Sequence, residues 1–265
     1  MKKLIITSVI FFYLNLVYGI DPIKDYIKYP SNVGLDYEEI YIKNSDTVIY
    51  CWLTKAKVEN KNLIILSYPD YGNMSYYLEY VRYYIEMGFD VLTYDYRGFG
   101  KSSDFKIDKN YLFYYEFVDD LKNVFNYSKQ NFNYNKIGLL GLSMGTIISA
   151  YATTEIKNID FMILDGCVYS ISKVFERLNK KDLKAPVSEE FNFLSELWRD
   201  IDTKLLILSA SEDTITTADD ALSIISYNKS KRKTFSYRGK HLGFLNRDFN
   251  KSELKHYFLW VTTDD

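Results

Sequence analysis

The sequence has few histidines, few cysteines and almost no net charge, and each shortage excludes a class of function. Two histidines and two cysteines among 265 residues are too few for the His and Cys clusters that usually hold a metal ion. The 33 basic and 35 acidic residues leave a net charge of -2, which provides no electrostatic footprint for nucleic acid or for an anionic membrane surface. We therefore expect a small or neutral substrate, with no metal and no nucleic acid.

The N-terminus has the pattern of an export signal. Lys2 and Lys3 precede an apolar stretch over residues 4–17, and Gly19 follows where a signal peptidase would cut. This stretch contains polar residues and is short for a membrane span. We predict a signal peptide over residues 1–19 and a protein exported to the periplasm or the medium, without a membrane span after cleavage. An uncleaved membrane anchor is the alternative.

Residues 20–265 contain no internal repeat and no linker, which predicts a single domain. In the second half, apolar strand patterns alternate with amphipathic helix patterns, and this order is typical of a mostly parallel sheet with helices on both faces. Cys51 and Cys167 fall on different parts of that sheet and are expected to be free, buried thiols. The predicted strands are 37–42, 47–53, 62–67, 90–94, 135–142, 159–164, 205–209 and 233–237. The predicted helices are 76–87, capped by Ser75, and 111–127, 144–154, 171–178, 189–198, 218–225 and 251–261.

The motif with the clearest chemistry is Gly141-Leu142-Ser143-Met144-Gly145, which joins a predicted strand directly to a predicted helix. In that context G-x-S-x-G forms a nucleophile elbow, a turn so tight that the serine takes a strained backbone conformation. Side chains at Gly141 or Gly145 would collide with the neighbouring strand and helix. The motif predicts Ser143 as a nucleophile.

A serine nucleophile needs a base within hydrogen-bond reach and an acid that orients this base. His241 follows the last predicted strand, whereas His256 lies inside the closing helix, so we favour His241. For the acid we favour Asp213, in the loop after strand 205–209, with Glu212 and Asp165 as alternatives.

The oxyanion of the tetrahedral intermediate needs two hydrogen-bond donors. The backbone N–H of Met144, directly after the nucleophile, is one by the geometry of the elbow. The second is expected from the loop after strand 62–67, where Asp70 is the best-placed candidate through its main chain.

Residues 166–199 form a connection too long for a simple crossover and contain two predicted helices around Pro186. An insertion of this size beside a site is commonly a lid, and we predict a lid insertion at about residues 166–199. A crossover helix with an added loop is the alternative.

Several of these motifs together resemble the α/β-hydrolase superfamily, in particular the serine aminopeptidase S33-like and BEM46-like hydrolases. The resemblance rests on residues 94–102 (YDYRGFGKS), 141–145 (GLSMG), 163–165 (ILD), Asp213 and His241. It implies an α/β-hydrolase fold and a Ser-Asp-His triad that acts on acyl bonds, usually esters or thioesters, without a metal or organic cofactor. It also implies that Asp95, Arg97 and Gly98 are mainly structural. The chain departs from the family at Tyr68-Pro69, where relatives have His-Gly before the oxyanion residue.

The leading hypothesis is an exported serine hydrolase that cleaves a small-molecule or lipid-like acyl substrate through Ser143, His241 and Asp213. Two other functions stay open: a catalytically silent ligand- or protein-binding protein on the same fold, and a serine aminopeptidase.

Overall fold

The computed structural model describes residues 19–57, 61–179, 182–186, 193–246 and 251–263. Within them, ten strands and seven α-helices form. The strands are β1 (Asp21–Pro22), β2 (Tyr37–Asn44), β3 (Thr47–Thr54), β4 (Asn62–Ser67), β5 (Tyr71–Gly72), β6 (Asp90–Tyr94), β7 (Lys136–Leu142), β8 (Phe161–Asp165), β9 (Lys204–Ala210) and β10 (Arg232–Tyr237). The helices are α1 (Leu78–Glu86), α2 (Tyr115–Asn131), α3 (Met144–Ala152), α4 (Ile171–Leu178), α5 (Phe193–Asp200), α6 (Ala218–Tyr227) and α7 (Lys251–Thr262).

Eight of the strands form one sheet in the order β10-β9-β8-β7-β4-β6-β3-β2. The neighbours from β10 to β6 are parallel, whereas β3 is antiparallel to both β6 and β2. The predicted mostly parallel sheet is therefore confirmed. Because the parallel strands end at one edge, the loops after β4, β7, β8, β9 and β10 meet there, and these loops carry the predicted site residues.

The continuous apolar runs predicted as buried strands lie in the sheet interior. Every residue of β8 is buried, as are all residues of β7 and β9 after their first lysine. Such strands are apolar on both faces because helices cover the sheet, which removes water from either side. Cys51 and Cys167 are buried and unpaired, so this prediction is also confirmed.

Two helix starts differ from their predictions. Helix α2 begins at Tyr115 instead of residue 111, because the chain at residues 110–112 pairs with the distant Lys184. Leu112 donates its N–H to the Lys184 carbonyl at 2.8 Å, and Lys184 donates its own to the Asn110 carbonyl at 2.8 Å. These bonds hold residues 110–112 in an extended conformation, which a helix cannot share.

The predicted Ser75 cap is wrong. Asn73 precedes a 3-10 helix over Met74–Tyr77, and its side chain accepts the N–H of Ser75 at 3.0 Å. The Ser75 hydroxyl instead donates to Asn73 at 2.6 Å and accepts the N–H of Ile27 at 3.1 Å. Ser75 therefore binds the segment after the predicted signal through Ile27, and α1 begins only at Leu78.

That segment binds the loop after β4. Strand β1 pairs in parallel with β5, and the N–H groups of Asp21 and Ile23 donate to the carbonyls of Asp70 and Gly72 at 2.8 and 2.9 Å. The hydroxyl of Tyr26 bonds to the buried carboxylate of Asp95. The chain just after the predicted signal thus fixes the backbone of the predicted oxyanion loop.

The predicted signal peptide lies outside the described residues, except for Gly19. Within the part of the chain that the structure describes, no helix has the length and apolar character needed to cross a membrane.

Gly145 tests how tightly the elbow packs against β4. A Cβ atom at this position would lie 1.9 Å from the Ser67 carbonyl oxygen, a backbone atom that cannot move alone. We expect Gly145→Ala to lower the free energy of unfolding by about 3 kcal/mol through overpacking, measured by chemical denaturation. The control is Gly34→Ala, where φ is +74° but no atom lies within 4 Å, so only backbone strain of about 1 kcal/mol applies. Equal costs at the two positions would contradict the steric argument.

Candidate active site

Ser143 occupies a strained turn between β7 and α3. Its φ of 50° and ψ of -113° lie outside the backbone regions that residues with a side chain favour. The turn is fixed by the Ser143 N–H, which donates to the Asp165 carbonyl at 3.0 Å, and by the Ser143 carbonyl, which accepts the N–H of Thr146 at 2.8 Å. A Cβ at Gly141 would lie 2.9 Å from the Gly145 carbonyl oxygen. The two motif glycines are therefore required by the close packing of strand, turn and helix.

The structure brings Ser143, His241 and Asp213 together. The Nε2 atom of His241 lies 2.9 Å from the Ser143 Oγ, and its Nδ1 lies 2.7 Å from Asp213 Oδ2. The three residues follow β7, β10 and β9, so the parallel sheet alone places them at one edge. This arrangement gives a hydroxyl, an imidazole and a carboxylate in the order that transfers a proton away from the serine.

Asp213 is almost fully buried and receives several hydrogen bonds. Its Oδ1 accepts the N–H groups of Ile215 and Thr216 at 2.7 and 2.9 Å, and its Oδ2 accepts the Thr216 hydroxyl at 2.7 Å. Burial opposes ionisation, but the bonds from His241 and Thr216 outweigh it and lower the pKa of the Asp213 carboxyl. Asp213 is therefore a fixed negative charge beside Nδ1, which requires that nitrogen to carry a hydrogen.

The alternatives to these residues lie elsewhere. Glu212 accepts a hydrogen bond from the exposed Arg238 side chain at 2.7 Å, and the Asp165 carboxyl contacts two tyrosines. His256 is exposed on α7. Of the residues considered as base or acid, His241 bonds through its two ring nitrogens to Ser143 and to Asp213.

Opposing effects act on the His241 imidazole, whose side chain is 12% exposed. Burial disfavours its charged form, but the hydrogen bond to Asp213 and the charge of Asp213 favour it and leave the pKa of His241 above the ordinary value. An imidazole with this balance accepts a proton readily and is held in one tautomer, as a general base requires.

Met144 and Asp70, the predicted oxyanion donors, follow the neighbouring strands β7 and β4. Met144 is the first residue of α3, so its N–H is one of the amides at the helix start that have no carbonyl partner within the helix. Asp70 follows Pro69 in the loop after β4, and its carbonyl accepts the N–H of Asp21. The charge of Asp70 contributes to the raised pKa of His241.

Tyr68, at the position where the family resemblance leads us to expect His, anchors the predicted oxyanion loop. Its ring is fully buried and stacks on Tyr77 with ring centroids 5.2 Å apart. Its hydroxyl donates to Asp95 at 3.2 Å, and its carbonyl accepts the Tyr96 hydroxyl at 2.8 Å. The loop is thus held by side chains of the YDYRGFGKS segment.

Three residues of the site had no prediction: Thr216, Tyr80 and Tyr237. Thr216 Oγ1 lies 3.2 Å from His241 Nδ1 while it donates to Asp213. Its spacing of three residues from an Asp in a loop is a signal for local side-chain bonds to the backbone. The two tyrosines come from α1 and β10, and no local sequence pattern connects them to Asp165.

The predicted lid contains α4 and all of α5 except Asp200, with residues 180–181 and 187–192 outside the described parts. Trp198 of α5 is fully buried and donates its indole N–H to the Val168 carbonyl at 3.0 Å. Arg177 of α4 bonds to Asp220 of α6. Coverage of Ser143 by this segment stays a prediction.

A groove of about 720 Å³ lies at the other edge of the sheet. Lys136 and Lys204, the first residues of β7 and β9, line it, whereas Ser143 and Asp213 follow the opposite ends of these strands. Its size therefore does not identify the site of chemistry, which we assign from the side-chain arrangement around Ser143.

Comparisons with known proteins place this geometry in context. The model of the S33 serine aminopeptidase family matches residues 71–199. The chain is 25% identical over 210 residues to an uncharacterized membrane protein of Saccharomyces cerevisiae, covering 72% of this chain and 68% of that protein. An esterase from Pyrococcus furiosus superposes with a TM-score of 0.72 at 18% identity, over 91% of this chain and 96% of the esterase. An alpha-beta serine hydrolase homologue from Coxiella burnetii gives a TM-score of 0.58 at 18% identity, over 85% and 97% of the two chains. The predicted α/β-hydrolase fold is confirmed by these superpositions.

Proposed function

We propose that this chain belongs to the α/β-hydrolase superfamily and is an exported serine hydrolase that cleaves acyl esters or thioesters. The family match and the esterase neighbour support the hydrolase class. One observation carries the serine mechanism: the imidazole of His241 lies within hydrogen-bond distance of both Ser143 and Asp213.

In the proposed reaction, Ser143 Oγ attacks the acyl carbonyl carbon while His241 Nε2 takes the hydroxyl proton. The carbonyl electron pair moves to oxygen, and the N–H groups of Met144 and Asp70 stabilise that oxyanion. The intermediate then expels the alcohol or thiol, which receives the proton from His241, and an acyl-enzyme remains. Water then attacks the acyl carbon while His241 takes one of its protons. The second tetrahedral intermediate expels the Ser143 oxygen, which receives that proton from His241, and the carboxylic acid leaves.

Asp213 acts in this reaction through His241. Its buried negative charge stabilises the imidazolium that forms as the serine loses its proton, and its bonds to Ile215 and Thr216 fix its position. No residue of the proposed mechanism requires a metal or an organic cofactor.

The proposals on location and substrate rest on sequence. The lysines before the apolar stretch at residues 4–17 support export through a signal peptide. The near-zero net charge supports a neutral small-molecule or lipid-like acyl substrate over a strongly charged one.

A fluorophosphonate probe tests the serine mechanism. We expect stoichiometric labelling of the folded protein on the peptide that contains Ser143, detected by mass spectrometry, because only an activated serine attacks such a probe. Labelling should fall at acid pH as His241 becomes protonated and can no longer accept the serine proton. Folded protein that stays unlabelled at neutral and alkaline pH would contradict the proposal.

Substrate assays on the same preparation distinguish esterase activity from aminopeptidase activity. The second is tested because the matching family is named as serine aminopeptidases. It is incubated with p-nitrophenyl esters of increasing acyl length and, in parallel, with aminoacyl p-nitroanilides. We expect release of p-nitrophenol. Release of p-nitroaniline alone would assign the peptidase function to Ser143.

A further inference from the structure

A second carboxyl group, that of Asp165, lies buried behind the site. Asp165 is the last residue of β8 and is 0% exposed. Its Oδ1 lies 3.1 Å from the Tyr237 hydroxyl oxygen, and its Oδ2 lies 3.1 Å from that of Tyr80. The Tyr80 oxygen also lies 3.1 Å from the carbonyl oxygen of Leu242, the residue after His241.

The number of hydrogens in this group decides its protonation. The Leu242 carbonyl accepts only, and Tyr80 has one hydroxyl hydrogen for the two oxygens beside it. If Asp165 were ionised, Asp165 Oδ2 and the Leu242 carbonyl oxygen would both be acceptors. The Tyr80 hydroxyl could donate its hydrogen to only one of these oxygens and would lie 3.1 Å from the other with no hydrogen between them. A hydrogen on Asp165 Oδ2 removes this conflict, since Tyr80 then accepts from the acid and donates to Leu242.

We propose that Asp165 is a positioning residue that holds a proton in the resting enzyme and, through Tyr80, fixes the Leu242 carbonyl and with it the backbone of His241. The complete chain runs from Asp165 Oδ2–H to the Tyr80 oxygen, and from the Tyr80 hydroxyl to the Leu242 carbonyl. Tyr237 donates to Asp165 Oδ1. Every hydrogen then lies between one donor and one acceptor. The proposal rests on the serine hydrolase function only for the role of His241.

The backbone at His241 needs such support. Leu242 has a φ of 53°, which is unfavourable for a branched side chain, and the surroundings must hold it there. The residue after Asp165 is Gly166, where a Cβ would lie 2.7 Å from His241 Cε1. Asp165 and Gly166 therefore border both the main chain and the ring of the proposed base.

Burial favours the neutral form of the Asp165 acid and outweighs the groups that favour its charged form. The groups that face Asp165 are Tyr80 and Tyr84 from α1, Tyr237 from β10, and His241 and Asp213 from the loops. Burial raises the pKa of the Asp165 carboxyl to about 7, and nearby Asp213 acts in the same direction, although His241 and two tyrosine hydroxyls favour the charged form. A proton on Asp165 leaves Asp213 as the charged acid that contacts the imidazole directly.

Infrared difference spectroscopy tests the proton directly. The spectrum of wild-type protein minus that of Asp165→Asn, recorded below pH 7, is expected to contain the carbonyl stretch of a protonated carboxyl. The subtraction cancels the bands of the other buried acids, Asp95, Asp120, Asp213 and Asp220. A difference spectrum that instead shows carboxylate bands would overturn the proposal, and this result is independent of whether the protein hydrolyses esters.

A second variant keeps the test decisive if Asp165→Asn does not fold. In Tyr80→Phe the acid loses the acceptor of its hydrogen, so the carboxyl stretch should persist and move to higher frequency. An unmoved stretch would show that Asp165 does not donate to Tyr80 and would also overturn the proposal.

Kinetics test the positioning role. We expect Asp165→Ala to lower kcat/KM about tenfold or more, because a small displacement of His241 disturbs the proton transfer. Asp165→Asn should restore most of this loss, because the amide donates and accepts as the protonated acid does, and its acid limb in kcat/KM should match that of wild type. A shift of that limb to lower pH by about one unit would indicate that a negative charge had been removed, and would contradict the proposal. Absence of turnover in wild type would end the serine hydrolase proposal and leave the infrared result standing.

Discussion

Replacing Ser143 with alanine is expected to lower kcat for ester hydrolysis by about 10³ to 10⁶-fold and to abolish fluorophosphonate labelling. The loss is large because the proposed covalent pathway needs this one oxygen, and His241 then has no hydroxyl to deprotonate. Some rate above that of water should remain, since donors that stabilise an oxyanion and substrate binding are unaffected. The measurement is steady-state kinetics on the best ester of the p-nitrophenyl series.

The matched control is Ser149→Ala in α3, the helix that Ser143 precedes. Ser149 is fully buried, and its hydroxyl has no hydrogen-bond partner within the described residues, so its loss should cost little stability and little activity. If Ser143→Ala keeps its rate within tenfold of wild type while Ser149→Ala behaves as expected, Ser143 is not the nucleophile. Circular dichroism of both variants checks that the fold is retained.

The sheet could be predicted closely because its information is local. Strands 62–67 and 90–94 were predicted with the same ends that the structure has, since each is a continuous apolar run between turn-forming residues. The start of α2 could not be predicted, because the pairing of residues 110–112 with Lys184 joins parts of the chain more than seventy residues apart. A helical periodicity at Tyr111 gives no sign of such a partner.

The site divides in the same way. Position after a strand was enough to favour His241 over His256 and to bring the loop that contains Asp213 to the site, because the carboxyl ends of parallel strands converge. The same rule could not assign Asp165, which also ends a strand. Its partners Tyr80 and Tyr237 come from elements that meet only in the folded protein, so their hydrogen bonds separate its role from that of Asp213.

The departure at Tyr68-Pro69 can now be given a physical account. Pro69 has no N–H, yet the loop does not depend on that group, because Tyr68 is held through its ring, hydroxyl and carbonyl. On the far side, the N–H of Asp21 holds the Asp70 carbonyl. Pro69 thus lies between two residues, Tyr68 and Asp70, that are both held by hydrogen bonds, and its ring stiffens the loop further. A stiff loop suits the predicted Asp70 donor, because an oxyanion donor must already point at the developing charge.

Asp213→Asn is expected to lower kcat by about 10⁴-fold with little change in the fold. Asparagine keeps the shape of the side chain, but it removes the charge that stabilises the imidazolium and can present an N–H to Nδ1. Nδ1 would then have to accept, so the hydrogen would move to Nε2 and His241 could no longer receive the proton of Ser143. The measurement is kcat across pH, compared with wild type.

The matched control is Glu212→Gln, one residue earlier in the same loop. Glu212 bonds to the exposed Arg238, so the loss of its charge should change kcat less than about twofold, as for most exposed ion pairs.

The pH dependence of kcat shows which group of the triad titrates. Because hydrogen bonds lower the pKa of Asp213, that carboxylate stays ionised while the pH falls through the raised pKa of His241, so the acid limb of wild type reports His241. A loss in Glu212→Gln as large as that in Asp213→Asn would move the role of acid to Glu212, whereas equal activity of Asp213→Asn and wild type would remove Asp213 from the mechanism.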